Sequence, residues 1–229
     1  MTTTPTIEQL KQLIAHVRSV VFPDYYPPVN APQALELPQA FWQQLPEISR
    51  LLHTDVEAVL HNDPAVSDEG EVILCYPLPN VMLHYRTAHA LYLLDVPRIP
   101  RMLTELAHSR TGIDIHPAAQ IGEYFCIDHG TGVVIGKTAI IGSHVVLYQG
   151  VTLGAKNFEY DEYDRPLDLP RHPILEDHVT VYSNTSILGR VRIGHDTVIG
   201  GNIWLTRDIP AYSTVLQSTP DIIVRTNAR

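Results

Sequence analysis

Two side chains in the middle of the chain, Asp114 and His129, have the types that acid–base catalysis needs. Imidazole accepts protons near neutral pH, and as a general base it typically accelerates a reaction roughly 10²–10⁴-fold. A carboxylate on the far ring nitrogen fixes the tautomer and stabilises the imidazolium that forms. The pair therefore predicts activation of a weak nucleophile, with His129 as the base and Asp114 as the group that orients it.

An aliphatic residue recurs every six positions around this pair, and this period indicates the fold that positions it. Three such hexads close a coil of about eighteen residues that stacks on the next coil, which predicts a parallel β-helix of triangular section. An ordinary β-sandwich would require this periodicity to arise by chance. On a coil of that length, His129 lies one layer above Asp114, and the two side chains are expected to meet. The repeated positions are Ile115, Ile121 and Ile127; after a two-residue shift, Ile135, Ile141, Leu147 and Leu153; and, beyond an irregular acidic loop, Leu175, Val181, Ile187, Ile193, Ile199, Leu205 and Ala211.

The first half of the chain has helical rather than hexad spacing, so we predict an α+β protein with segregated elements. Apolar residues three and four apart predict four helices, the first capped by Thr6 and the second interrupted at Pro46. We expect an α-helical domain over 1–110, a β-helix domain over 111–216 with a protruding loop at about 155–171, and a tail over 217–229. The four predicted helices are Ile7 to Phe22, Phe41 to Leu60, Asn80 to Leu94 and Ile99 to Ser109.

Composition excludes several classes of partner. The chain of 229 residues has 16 Lys and Arg against 25 Asp and Glu, a formal charge of −9, which argues against nucleic acid or an anionic membrane surface. No apolar run is long enough to cross a membrane, and the N-terminus has no signal-peptide pattern. Two cysteines, Cys75 and Cys126, make no disulfide framework. These features predict a cytoplasmic protein without a membrane partner.

Four motifs in the β-helix half resemble the serine O-acetyltransferases. They are Asp114-Ile-His-Pro-Ala-Ala, Ile127-Asp-His-Gly-Thr-Gly, Gln149-Gly-Val-Thr-Leu-Gly and Arg171-His-Pro, and Asp63-Pro-Ala-Val resembles a motif of that family's helical domain. The resemblance implies a left-handed β-helix, an exception to the usual right-handed crossover. It also implies acetyl transfer from acetyl-CoA to the hydroxyl of L-serine, giving O-acetylserine for cysteine synthesis.

The resemblance also assigns the residues that bind L-serine. It assigns Asp114 and His129 as the catalytic pair, and it places Asp63 and Asp128 near the ammonium group of serine. Arg171 is placed on the serine carboxylate, where a guanidinium fork is the natural partner, and His172 lines the pocket.

Four small residues are the candidates for binding acetyl-CoA, which is expected in a groove between neighbouring β-helices. Backbone N–H groups near Gly154 and Ala155 are candidates for stabilising the oxyanion and the thioester carbonyl. The resemblance places Ser183 and Gly201 beside the pantetheine arm. Acetyl-CoA is a co-substrate, and we predict no metal and no permanently bound cofactor. Lys156, Arg190 and Arg192 are the cations available for its phosphates.

The resemblance further implies a homotrimer or a dimer of trimers, with sites between subunits. The helical region is shorter than in well-known members, which argues against the dimer of trimers. The acidic loop 157–169 is longer than in those members. Cysteine synthase is a known partner of the family. The tail from Thr219 to Arg229 does not end in the Ile that many members insert into it, which argues against this partnership.

Three alternative functions remain open at this stage. The same fold could acetylate another hydroxyl, such as that of homoserine or a sugar. Zinc-dependent carbonic anhydrases also use hexad β-helices, and His129, His172 and His178 would supply three ligands with one open position. A non-catalytic scaffold that binds cysteine synthase is the third alternative.

Overall fold

The computed structural model describes residues 5–33 and 35–218, so most of the predicted tail, from Thr219 to Arg229, lies outside the described residues. A helical region precedes a parallel β-helix, as predicted. The described part of the helical region contains six helices, whereas four were predicted. None of these helices combines the length and apolar character that crossing a bilayer requires. The helices are α1 Ile7–Val21, α2 Gln39–Trp42, α3 Leu45–Asn62, α4 Glu69–Cys75, α5 Pro77–Leu93 and α6 Ile99–Thr111.

The helix ends follow local capping chemistry. The predicted cap of α1 is confirmed: the Gln9 backbone N–H donates to the Thr6 hydroxyl, and the Gln9 side chain accepts from the Thr6 backbone. The predicted interruption at Pro46 is wrong, because Pro46 lies in the first turn of α3, where its missing N–H costs nothing. The helical segment is interrupted instead between Trp42, the end of α2, and Leu45, the start of α3. Helix α4 was not predicted from the sequence, and its N-terminus is capped by Asp68.

Helix α5 is the centre of the helical region and packs against α1, α3 and α6. It is buried on nearly every side, and Tyr85 and Leu91 are 1% and 0% exposed. A helix surrounded by other helices has no single apolar stripe. This explains why the spacing predicted its start at Asn80, three residues after the observed start at Pro77.

The β-helix is left-handed and consists of three parallel sheets with short strands. The first sheet contains β1, β4, β7, β10 and β13; the second β2, β5, β8 and β11; the third β3, β6, β9, β12 and β14. The strands are Asp114–Ile115, Gln120–Ile121, Cys126–Asp128, Val134–Ile135, Ile140–Ile141, Val146–Tyr148, Thr152–Gly154, Ile174–Leu175, Thr180–Val181, Ser186–Leu188, Arg192–Ile193, Val198–Ile199, Trp204–Leu205 and Thr214–Val215, numbered β1 to β14 in that order.

Most of the predicted hexad residues point inward and are buried, and Leu147, Val181 and Ile193 are 0% exposed. The coils differ in length, however. Ile115 pairs with Ile135, twenty residues away, whereas Ile135 pairs with Leu153 after eighteen. The prediction for Ala211 is wrong: a coil shortened by two residues places Ile209 beside Ile193 instead. Ile209 is 8% exposed and fills the axis at that end.

A buried ion pair joins the helical region to the first coil of the β-helix. Arg86 of α5 donates to both carboxylate oxygens of Asp55 of α3, each at 2.7 Å. The same guanidinium donates to the Gly122 carbonyl at 2.8 Å, and the Phe125 N–H donates to Asp55 at 3.2 Å. Phe125 immediately precedes β3, so the ion pair fixes the strand that leads to His129.

Candidate active site

His129 lies in the turn between β3 and β4, which we call the histidine corner (residues 128–133). Its backbone adopts the left-handed region with φ of 58°, and its side chain is 75% exposed. Gly130 and Gly132 also have positive φ, which glycine adopts without steric cost. These turns accommodate the two residues by which this coil exceeds eighteen, and the imidazole projects outward from the corner.

Asp63 reaches the histidine corner from the C-terminal end of α3. Its Oδ1 accepts from the Ala65 N–H at 2.8 Å, and its Oδ2 accepts from the Tyr76 hydroxyl at 2.8 Å. These two hydrogen bonds, with a smaller contribution from His129, lower the pKa of Asp63 below its usual range. Asp63 is therefore a fixed, ionised carboxylate on which the charge of His129 acts.

Asp128 is the carboxylate that lies nearest to the ring of His129. Its Oδ1 is 3.9 Å from His129 Nδ1, which is longer than a hydrogen bond. Asp63, Asp128 and His129, three residues predicted from the sequence, therefore lie together at one corner.

The structure does not join Asp114 to His129 in the way that the sequence predicted. Within the described residues no hydrogen bond or ion pair links the two side chains, and Asp114 Oδ1 instead lies 3.5 Å from the Arg101 guanidinium. The prediction assumed an eighteen-residue coil, whereas Asp114 pairs with Val134, twenty residues on. Asp114 therefore begins β1, which lies directly below β4. The coil from β1 to β4 contains two residues more than eighteen.

Ser183 and Gly201 lie on the same edge of the β-helix as His129, in later coils. The Asn202 N–H donates to the Ser183 carbonyl at 2.9 Å, so the two residues stack in consecutive coils. A Cβ at Gly201 would lie 3.1 Å from the Ser183 carbonyl oxygen. The close stacking of these coils is one reason for a small residue there.

Arg171 lies at the next corner, in the segment between β7 and β8, which we call the arginine corner (residues 155–173). The segment includes a short antiparallel bridge between Tyr160 and Pro166. The Arg171 guanidinium lies 3.5 Å from Asp168, donates to the Leu169 carbonyl at 3.2 Å and stacks 5.6 Å from the Phe158 ring. The long loop therefore fixes the orientation of Arg171.

His172 is buried at the arginine corner, with 7% exposure. Its Nδ1 accepts from the Thr138 N–H at 3.1 Å, so the proton of the neutral ring lies on Nε2. Burial, together with the charges of Arg171 and Arg190, lowers the pKa of His172 to about 4. His172 is therefore a neutral hydrogen-bond donor at physiological pH.

Gly154 and Ala155 also lie at the arginine corner, at the end of β7 and directly after it. Among the cations considered for the phosphates, Arg190 donates to the Thr138 and His172 carbonyls at 2.6 and 3.0 Å. Arg192 pairs with Glu176 at 2.6 Å. These two guanidinium groups therefore stabilise the corner and its neighbouring coil.

The three histidines considered for zinc lie on three different corners of the triangle. His129 follows the third sheet, His172 precedes the second sheet, and His178 lies between β8 of the second sheet and β9 of the third. Within the described residues, the group that could offer metal ligands is Glu105, His108 and Asp114, not these histidines. One chain therefore does not assemble the three-histidine zinc site.

Three residues with contacts at these corners were not predicted. Tyr76 contacts Asp63, Arg101 contacts Asp114, and Asp168 contacts Arg171. Tyr76 and Arg101 come from other segments of the chain than their partners, whereas Asp168 is only three residues from Arg171. The contacts of Tyr76 and Arg101 arise from tertiary packing, which no local spacing in the sequence marks.

Comparison with known proteins gives the same fold. No family model matches the chain. A serine acetyltransferase of Helicobacter pylori is 41% identical over 174 residues, which cover 76% of this chain and 97% of that protein. A plasmid-encoded serine acetyltransferase of Synechococcus elongatus is 49% identical over 197 residues, 86% of this chain, which spans 62% of that longer relative.

Solved structures agree with the curated relatives. Serine acetyltransferase isoform 3 of Entamoeba histolytica, crystallised with cysteine, is 36% identical with a TM-score of 0.77, covering 96% of this chain and 75% of that one. The enzyme of Neisseria gonorrhoeae in complex with serine is 29% identical with a TM-score of 0.73, covering 91% and 82%. The architecture, the motifs at the two corners and these identities together show that the chain belongs to the serine acetyltransferase family.

Proposed function

We propose that this protein transfers the acetyl group of acetyl-CoA to the hydroxyl of L-serine and releases O-acetyl-L-serine and CoA. The observation that carries the proposal is the cluster of Asp63, Asp128 and His129 at one corner, where carboxylates lie beside an exposed imidazole. Family membership supports the choice of substrates. The reaction supplies an activated serine for cysteine synthesis.

The chemical step needs only a base and positioned substrates. His129 accepts the proton of the serine hydroxyl while the hydroxyl oxygen attacks the thioester carbonyl carbon of acetyl-CoA. The tetrahedral intermediate collapses, the C–S bond breaks, and the CoA thiolate accepts the proton from the imidazolium. Asp114, in the strand below, is proposed to orient the ring, and Asp128 adds negative charge that stabilises the imidazolium.

Recognition of serine requires charges of both signs because an amino acid is zwitterionic. Asp63 and Asp128 are proposed for the ammonium group, and Arg171 is proposed for the carboxylate. His172, neutral and protonated on Nε2, adds a hydrogen-bond donor. Gly154, Ala155, Ser183 and Gly201 are proposed for acetyl-CoA, which lies between β-helices.

The two halves of this site lie on different corners of one chain, so we propose a homotrimer in which neighbouring copies complete each site. The histidine corner of one copy would face the arginine corner of the next, and threefold symmetry would close the ring. The proposed assembly is a homotrimer or a dimer of trimers. We also propose a cytoplasmic location and a boundary between the helical and β-helix domains at residues 110 and 111. Cysteine synthase is not proposed as a partner.

An acceptor assay tests the function directly. Release of CoA from acetyl-CoA is measured with L-serine, homoserine and a panel of sugars. The proposal expects kcat/KM to be highest with serine. Turnover with the sugars but not with serine would replace it with the alternative acceptor class, and zinc at one ion per subunit in active protein would revive the carbonic anhydrase alternative.

Replacing Arg171 with Ala is expected to raise the KM for serine by at least about tenfold, because a charge-assisted hydrogen bond is worth about 1.5–3 kcal/mol. The KM for acetyl-CoA should change much less. Steady-state kinetics with each substrate varied in turn measures both constants. Equal increases in both would argue against recognition of the carboxylate by Arg171.

Mixing two variants, each impaired at a different corner, tests whether the site is shared between copies. His129→Ala and Arg171→Ala proteins are unfolded together at equal amounts, refolded and assayed at low serine. If sites form between copies, random assembly should restore about one quarter of the interfaces, each pairing an intact histidine corner with an intact arginine corner. Sites contained within single chains would give no more activity than the two variants refolded separately.

A further inference from the structure

We propose that Tyr76 is a positioning residue, whose hydroxyl fixes the Asp63 carboxylate to bind the ammonium group of the acceptor. This inference rests on the proposed function and extends it to a residue outside the sequence motifs. The geometry that carries it is the 2.8 Å hydrogen bond from the Tyr76 hydroxyl to Asp63 Oδ2.

Tyr76 lies at the junction of α4 and α5, where the backbone leaves little freedom. It is the single residue between the two helices, and its N–H donates to the Val72 carbonyl at 3.2 Å. Its φ of −80° and ψ of 147° are the extended values that the following Pro77 favours. The side chain therefore leaves the backbone in a fixed direction towards the histidine corner.

Asp63 is restrained in the same way on its side of the contact. It caps α3 in an extended conformation before Pro64, with φ of −109° and ψ of 106°. Its Oδ1 accepts from the Ala65 N–H, and its Oδ2 accepts from Tyr76. Each oxygen retains a further lone pair, so the restrained carboxylate can still accept from an ammonium group.

The consequence is preorganisation of the acceptor site. A half-exposed aspartate with one hydrogen bond would rotate about χ1, and binding would have to restrict that rotation. With both oxygens bonded, Asp63 has one orientation before serine enters. The hydrogen bond to Asp63 raises the pKa of Tyr76 to about 12, so the phenol remains a donor at every pH at which an imidazole base works.

The experiment measures serine and acetyl-CoA binding separately in Tyr76→Phe, which removes one hydroxyl and keeps the ring. The dissociation constant for L-serine, measured by titration calorimetry, should rise about two- to tenfold, because binding must then restrict the rotation of Asp63 about χ1. The dissociation constant for CoA should stay within about twofold, since no contact with Tyr76 is proposed for it.

Tyr26→Phe is the matched control, because its hydroxyl donates to the Ile73 carbonyl of α4, three residues before Tyr76, at 3.3 Å. It removes a tyrosine hydroxyl that contacts this part of the chain but not Asp63, and it should leave serine binding unchanged. In an Asp63→Asn background, Tyr76→Phe should add little further loss, since the hydroxyl acts through Asp63. Full additivity of these two changes would contradict the proposal.

The other outcomes are equally decisive. Unchanged serine affinity in Tyr76→Phe would overturn the inference, and so would equal weakening of serine and CoA, which indicates a general loss of structure. If wild-type protein neither binds nor acetylates serine, the proposed function is wrong, and the inference that rests on it is wrong too. Normal serine turnover by the wild type, with no selective loss in the variant, overturns the inference alone.

Discussion

Replacing His129 with Ala is expected to lower kcat by about 10²–10⁴-fold, the usual contribution of a general base. The fold should be retained, because the side chain is 75% exposed and forms no hydrogen bond with the described residues. Release of CoA at saturating serine and acetyl-CoA measures kcat. Circular dichroism and light scattering measure the fold and the assembly.

His178→Ala is the control for this experiment. His178 is exposed at another corner and has the same φ of 58°, so both substitutions place Ala in a left-handed turn. The control should keep wild-type activity, whereas a zinc site that uses His178 would lose it. His129→Asn, which suits the left-handed region better, should be as inactive as His129→Ala. A rate near that of the wild type in both variants would eliminate His129 as the base.

Replacing Arg86 with Ala is expected to lower the free energy of unfolding by about 3–5 kcal/mol, because it leaves a buried carboxylate without its partner. Asp55 is 0% exposed and Arg86 is 4% exposed. The change also removes hydrogen bonds to the Ile121 and Gly122 carbonyls. Denaturant unfolding at a fixed protein concentration measures the loss, since assembly would also contribute to stability.

Arg50→Ala is the matched control because it also links the helical region to the β-helix, by a pair with Glu123 at 2.5 Å. That pair is half exposed, so its loss should cost less than about 1 kcal/mol. The double change Asp55→Ala with Arg86→Ala should cost less than the sum of the two single changes. If Arg86→Ala costs no more than Arg50→Ala, the ion pair does not join the two regions as we infer.

The sequence predicted most of the fold because its signals are local and repeated. Residues such as Leu147, Val181 and Ile193 recur with a fixed period, and each one is buried at the axis for the same physical reason. The prediction was wrong at Ala211, where the coil loses two residues. The gain of two residues between Ile127 and Ile135 is visible in the sequence as a shift of the period, whereas no such shift marks the loss of two residues after Leu205.

The candidate site was predicted only in part, because its residues come from distant segments. Asp128 lies 3.9 Å from the His129 ring, and the charge of His129 helps to lower the pKa of Asp63, while their roles stay predictions. Within the described residues no hydrogen bond or ion pair links Asp114 to His129, so their pairing stays a prediction.

The sequence by itself determined the helical and β-helical halves, the chemical types at the site and the family, since these depend on spacing and motif. The tertiary structure alone decided that His129 and Arg171 lie on different corners of one chain. It also decided that Tyr76 bonds to Asp63 and that Arg86 joins α3 to the first coil. The physical reason is that such contacts depend on how helices pack against coils, and packing brings together residues that have no fixed spacing in the chain.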